Sequence, residues 1–194
     1  MEICRSLLDD LTKNGWVQSD DLLGSQIRLA WQKIAENYLQ KGMFRPANIA
    51  TGLNEKVRSD QIFWLEPIQE EHSQIFHQLE SWRLALTRGL MVSAPTIEAH
   101  FASYAPGNGY TLHCDQPQSS GTRVMTFVVY LHSHWSPGQG GELSIFEGPE
   151  GLEEIHRIEP RPGRVVFFNS SEIWHQVRES KFQRLSLTGW FHHS

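Results

Sequence analysis

The sequence predicts a mainly β domain, a β-sandwich or jelly roll, with helices on its N-terminal side. From Thr96 onward, eight short segments of strand character follow one another at roughly regular intervals. Turn signals separate them: "PGNG", "QPQSSGT", "SPGQGG", "GPEG" and "RPG". Apolar spacing of helical period is confined to the part before about residue 95. The switch need not divide the chain, because helices can cover one face of a sheet. The expectation is therefore a single domain over 1–194, with 1–95 as helical support and lid loop and 96–194 as the β core.

The elements follow in order. "GWVQSDD" reads as a short strand, with Ser19, Asp20 or Asp21 as N-cap of the next helix. That helix carries Ile27, Ala30, Trp31, Ile34, Ala35, Tyr38 and Leu39 at helical spacing, and Gly42 is its stop signal. "FRPANIATGLNEKVRSDQIFWLE" is a long loop returning into a strand at Gln61 to Leu65, and loops of that length in compact domains often serve function. A second helix, "PIQEEHSQIFHQLESWRLALTRGL", aligns Ile75, Leu79, Trp82, Leu86 and Leu90 on one stripe. The strands are "IEAHFASYA", "YTLHCD", "RVMTFVVYLH", "GELSIFEG", "LEEIHRIEP", "GRVVFFNS", "WHQVRE" and "QRLSLTGWFHH".

Composition narrows the function classes. A net charge of −5 and a pI near 6.0 argue against general binding to nucleic acid or to anionic membranes. Cys4 and Cys114 are the two cysteines, in no CxxC spacing, which argues against a disulfide framework or a thiolate zinc site. The N-terminus lacks a secretory h-region and no apolar run approaches a membrane span, so the expected location is the cytoplasm. Oligomeric state is left open.

Chemistry concentrates in the β half. In "YTLHCD", residues two apart point the same way, so His113 and Asp115 can share a target while Cys114 points away as a small buried hydrophobe. His175, in "SSEIWHQVRES", supplies a second imidazole. Two histidines and one carboxylate form the facial set that holds non-haem Fe(II) with positions left open. On the last strand Arg184, Ser186, Thr188 and Trp190 share one face, and Leu185, Leu187, Gly189 and Phe191 the other. A guanidinium recessed among strands needs an anion, and its fork suits a carboxylate. Val124, Thr126, Val128 and Tyr130 share a face, so the Tyr130 hydroxyl can reach the same anion. His132, His134, His192 and His193 sit beside turns or the chain end and read as solvated surface. Arg58 and Asp60, taken alone, read as a surface ion pair.

The ordered blocks "YAPGNGYTLHCD", "VVYLHSHW", "GGELSIF", "IEPRPGRVVFF" and "WHQVRESKFQRLSLTGWF" resemble the 2-oxoglutarate and Fe(II)-dependent oxygenases. Within them they are similar to the prolyl 4-hydroxylase branch, typified by the hypoxia-inducible-factor prolyl hydroxylases and their bacterial relatives. The resemblance implies a double-stranded β-helix, the cupin-like jelly roll, packed on the N-terminal helices. It implies His113, Asp115 and His175 as iron ligands and Arg184 and Tyr130 as partners of the distal carboxylate of 2-oxoglutarate. It places Thr188, Tyr104 and Trp190 around the cosubstrate pocket, Arg58 and Asp60 after a mobile loop, and Arg123 as the partner such an aspartate meets. The implied cofactors are Fe(II), 2-oxoglutarate, O2 and ascorbate. The implied reaction hydroxylates an aliphatic C–H, releasing succinate and CO2, with a prolyl residue of a protein, such as a translation factor, as substrate. Two competing readings are a hydroxylase of a free amino acid or other small molecule, and a non-catalytic cupin-like binding or sensing module.

Overall fold

The computed structural model describes residues 3–47, 57–116, 121–148 and 153–193. The helices are α1 (Arg5–Asn14), α2 (Ser25–Gln40) and α3 (Ser73–Leu90). Strands β1 (Trp16–Ser19), β2 (Arg45–Pro46) and β3 (Gln61–Trp64) alternate with them. The β half comprises β4 (Thr96–Tyr104), β5 (Tyr110–His113), β6 (Arg123–Tyr130), β7 (Leu143–Phe146), β8 (Glu154–Ile158), β9 (Val165–Asn169), β10 (Trp174–Val177) and β11 (Arg184–His192). All eight strands expected after Thr96 are present. Two sheets face each other, a large one in the order β1-β9-β6-β11-β4-β3-β2 and a small one in the order β5-β10-β7-β8. This is the double-stranded β-helix. Among the described residues no helix is long and apolar enough to cross a membrane.

Strand parity divides the core in two. Phe101, Phe127, Phe167, Leu187 and Phe191 leave the large sheet toward the helices and meet Trp31, Leu79 and Trp82. Trp82 packs edge-on to Phe167 with ring centroids 5.6 Å apart, a favoured aromatic geometry. The opposite faces of β6 and β9 send Val128, Val166 and Phe168 toward Leu143, Ile145 and Ile158 between the sheets. The functional groups lie at one end of this second layer.

The helical readings hold with adjustments. The α3 stripe is buried at Ile75, Leu79, Trp82 and Leu86. In α2 the buried residues are Trp31, Gln32, Ala35 and Tyr38, whereas Ile27 and Ala30 are exposed, so the contact face is narrower than the apolar spacing implies. The cap of α2 is Gly24, not Ser19, Asp20 or Asp21. Asp20 instead accepts two hydrogen bonds from Arg164, from Nε at 2.6 Å and Nη2 at 2.8 Å, a pairing far apart in the chain that local spacing cannot show. Helix α1 has no counterpart in the sequence reading. It is short, buries Leu11 and closes with Gly15 at φ 75°, whose N–H returns to Leu11.

His132 also departs from expectation. It is buried, not solvated, with Nε2 2.5 Å from the Pro160 carbonyl and Nδ1 3.3 Å from that of Leu185. Burial is the main cause that pushes its pKa down to about 4.

Two predictions follow from this packing. At Gly189 an added Cβ would sit 2.0 Å from the Glu98 carbonyl oxygen and 2.6 Å from the Phe127 ring. Gly189→Ala is therefore expected to cost about 3 kcal/mol and lower Tm by roughly 10 °C, read by thermal melting; an unchanged melt would contradict the close strand approach. For His132, the unfolded chain takes up a proton near the ordinary histidine pKa while the folded chain stays neutral until about pH 4. The unfolded state thus binds more protons in that window, and stability falls as pH drops through it. His132→Asn should lose on the order of 3 kcal/mol less stability between pH 7 and 4 than the wild type does. Equal losses in the two proteins would refute that assignment.

Candidate active site

Strands β5 and β10 bring the two histidines face to face. His113 and His175 are direct Cα partners in the antiparallel pair, and their rings lie 4.2 Å apart. Asp115 follows in the bend after β5, its Oδ1 3.4 Å from His113 Nε2 and 3.7 Å from His175 Nε2. One donor atom from each residue falls within 4.8 Å of the others.

The surroundings orient these atoms. His113 Nδ1 lies 2.7 Å from the Thr111 carbonyl, and His175 Nδ1 lies 3.0 Å from the Ile173 carbonyl. A carbonyl can only accept, so each Nδ1 carries the proton and each Nε2 lone pair faces inward. Thr126 Oγ1 donates to Asp115 Oδ2 at 2.7 Å, and Arg123 Nη1 donates to the Asp115 main-chain carbonyl at 2.9 Å. Burial opposes ionisation of Asp115. The neighbouring imidazoles and the Thr126 hydroxyl outweigh it, and the carboxyl sits well below the usual range. Burial, followed by His113, lowers His175 to about 4. Neutral imidazole and ionised carboxylate are the forms that ligate a metal. The donor set fits a divalent ion held on one side with coordination positions free on the other, the non-haem Fe(II) pattern.

Arg184 opens β11 on the far side of the pocket and is 2% exposed. Its Nε donates to the Gly141 carbonyl at 3.0 Å and its Nη1 to Ser186 Oγ at 3.4 Å. The guanidinium carbon stands 5.0 Å from the Tyr104 ring centre and 4.9 Å from that of Tyr130. Among the described residues no carboxylate pairs with it within 4.0 Å. The Tyr130 hydroxyl is buried and has no hydrogen-bond partner among the described residues. Burial raises the pKa of both tyrosines, keeping them neutral phenols able to donate. A buried cation beside an unsatisfied hydroxyl is costly unless a ligand anion completes it. These residues fit one carboxylate of a small diacid.

Tyr104, Thr188 and Trp190 line the same pocket as the triad and Arg184, while Tyr130 stands behind Arg184. Asp60 does not meet Arg123. It is buried and paired in two bonds with Arg58, Nε to Oδ1 at 2.7 Å and Nη2 to Oδ2 at 3.0 Å, so this is no surface pair either. Two residues apart along the chain, Arg58 and Asp60 meet more cheaply than Asp60 and Arg123, because β3, which Asp60 precedes, is separated from β6 by β4 and β11. Arg123 instead stacks on Trp190, 3.4 Å from the ring centre. Cys114 is half-buried, and its thiol donates to the Ser170 carbonyl at 3.0 Å. Residues 48–56 of the long loop read as a lid lie outside the described residues.

Three polar residues of the pocket escaped the sequence reading as parts of the site. Tyr110 stacks on His113 at 3.5 Å, Thr126 bonds Asp115, and His100 lines the wall. Parity could have found two of them, since His100 shares a face with Tyr104, and Thr126 with Tyr130. Tyr110 is an odd number of residues from His113 on a strand whose register shifts, so alternation misplaces it.

Comparison with known proteins fits this geometry. Residues 99–192 match the model of the 2OG-Fe(II) oxygenase superfamily. A crystal structure of a Pseudomonas putida prolyl-4-hydroxylase superposes with a TM-score of 0.87 at 35% identity, covering 97% of this chain and 98% of that one. This chain belongs to the 2OG-Fe(II) oxygenase superfamily. A Trichoplax adhaerens prolyl hydroxylase, in complex with a hypoxia inducible factor oxygen degradation domain peptide fragment, shares the fold at a TM-score of 0.82 and 23% identity, covering 96% and 87% of the two chains. The prolyl 3-hydroxylases OGFOD1 of Mus musculus and Xenopus laevis are 29% and 30% identical over 125 residues, 61% of this chain. The chain spans only 22% and 24% of the length of those two curated relatives. As a member of the superfamily it uses Fe(II), 2-oxoglutarate and O2.

The outer contacts of the triad give a direct test. Thr126→Val keeps side-chain volume but removes the bond to Asp115, and is expected to weaken Fe(II) affinity by about tenfold or more in anaerobic calorimetry. Asp115→Ala should abolish measurable binding. Retained affinity in the alanine variant would remove Asp115 from the ligand set.

Proposed function

We propose that this chain hydroxylates a prolyl residue of a protein or peptide substrate, consuming 2-oxoglutarate and O2 and releasing succinate and CO2. The observation that carries the reaction class is the buried Arg184 with no anionic partner among the described residues, on the wall opposite an oriented His–Asp–His triad. The prolyl substrate is supported by likeness over almost the whole chain to a prolyl-4-hydroxylase and by the prolyl 3-hydroxylase relatives. The reading includes ascorbate as the reductant that keeps iron ferrous, and a reducing cytoplasmic setting supported by the free thiols of Cys4 and Cys114.

His113, Asp115 and His175 would hold the iron, which supplies oxygen activation coupled to oxidative decarboxylation of 2-oxoglutarate. The rest of the work belongs to side chains of the pocket. Arg184 and the Tyr130 hydroxyl bind the distal carboxylate and set the angle at which the keto-acid end reaches the triad. Val128, Leu143, Phe168 and Val177 give the pocket apolar walls that exclude water and limit side reactions. The stack of Arg123 on Trp190 stiffens the rim where substrate enters.

Two experiments test the reading. In a cell lysate supplied with Fe(II)-loaded protein, mass spectrometry should find prolyl peptides that gain one oxygen only when 2-oxoglutarate is present. Oxidation confined to free amino acids would overturn the protein substrate, and failure to form succinate under any condition would favour a binding module. Arg184→Ala should raise the 2-oxoglutarate KM by roughly 10- to 100-fold, the worth of a charged hydrogen-bonded pair, while leaving Fe(II) affinity intact. An unchanged KM would take Arg184 out of the cosubstrate site.

A further inference from the structure

One buried polar group in the pocket wall has no part in holding metal or diacid. His100 sits mid-strand on β4, 1% exposed, on the face that also carries Ala102 and Tyr104. Its ring lies 4.8 Å from the Trp64 ring and 5.4 Å from that of Trp190. Among the described residues its Nδ1 is buried with no hydrogen-bond partner, and the indole Nε1 of neighbouring Trp190 is in the same state. Two unsatisfied polar atoms on adjacent rings of one pocket wall are unusual in a protein interior and call for a partner.

The chemistry of that partner follows from the donors. An indole N–H can only donate, so whatever satisfies Trp190 Nε1 is an acceptor. Burial, and after it the charge of Arg58, lowers the pKa of His100 to about 3, so its ring is neutral and matches a neutral partner rather than an anion. The anion is already served at the other end of the pocket by Arg184. A peptide carbonyl is the neutral acceptor that flanks a proline on both sides, and the proline itself brings no N–H that would need an acceptor in the wall.

We infer that His100, together with the Trp190 indole, reads the substrate backbone by donating hydrogen bonds to a carbonyl oxygen beside the target proline. The inference rests on the prolyl reading above. Trp64, 45% exposed and packed on His100, offers the adjoining apolar surface.

The test uses protein loaded with Mn(II) and 2-oxoglutarate, which allows binding to be read without turnover. The probe is a fluorescein-labelled nonapeptide centred on the proline oxidised in the lysate experiment. His100→Leu should weaken peptide binding at least tenfold, with Mn(II) and 2-oxoglutarate affinities kept. His100→Asn, which returns a donor near the Nδ1 position, should recover most of the loss. Replacing the flanking carbonyls one at a time by thioamides should weaken binding to the wild type at one position and have no further effect there in His100→Leu. Unchanged peptide binding in His100→Leu overturns the inference, as does an equal loss of cosubstrate affinity, which would mark His100 as purely structural. If no proline-containing peptide is oxidised by the wild type, the prolyl reading fails and this inference falls with it.

Discussion

The two-residue period of β11, held between β4 and β6 in the large sheet, is the constraint on which the architecture depends. It sends Leu185, Leu187 and Phe191 into the core beneath the helices. The same backbone turns Arg184, Thr188 and Trp190 into the pocket. Packing and chemistry are thereby written on alternate residues of one strand, and a slip of one residue would exchange them. The helices matter to function through this strand: by burying its apolar side they fix the register of its polar side.

The site is organised before any ligand arrives. Main-chain carbonyls two residues upstream hold both histidine tautomers, and Thr126 holds the carboxylate. At the other end, among the described residues, a buried guanidinium has no carboxylate within 4.0 Å and a buried phenol hydroxyl has no hydrogen-bond partner. Such groups cost stability in the free protein and lower the reorganisation needed when a diacid binds. The pocket therefore has two polarities. A cluster of lone pairs faces a cation at one end, and a cluster of donors faces an anion at the other, at a separation set by the sheets.

Much of this was legible in the chain. The eight strands after Thr96, the stripe of α3 and the opposite faces of β11 all follow from period and turn residues, because a strand or helix dictates which neighbours share a side. His113, Asp115, His175, Arg184 and Tyr130 could be gathered for the same reason, aided by the family likeness. What escaped were partnerships made in space. Asp20 reads locally as a cap, yet it is bonded to Arg164 from the other half of the chain. His132 reads as a turn residue, yet it is buried between the main-chain carbonyls of Pro160 and Leu185.

By itself, then, the sequence determined the kinds of element, the sides their residues take and the inventory of ligating and charged groups, since these depend on bond geometry and on intervals along one chain. Only the tertiary structure decided that Asp60 is buried in its pair with Arg58, that Arg123 lies on Trp190 and Tyr110 on His113, and that His100 Nδ1 and Trp190 Nε1 are buried with no hydrogen-bond partner among the described residues. Those outcomes turn on distances between strands remote in sequence, and on which atoms water can still reach, quantities that exist only once the sheets have closed.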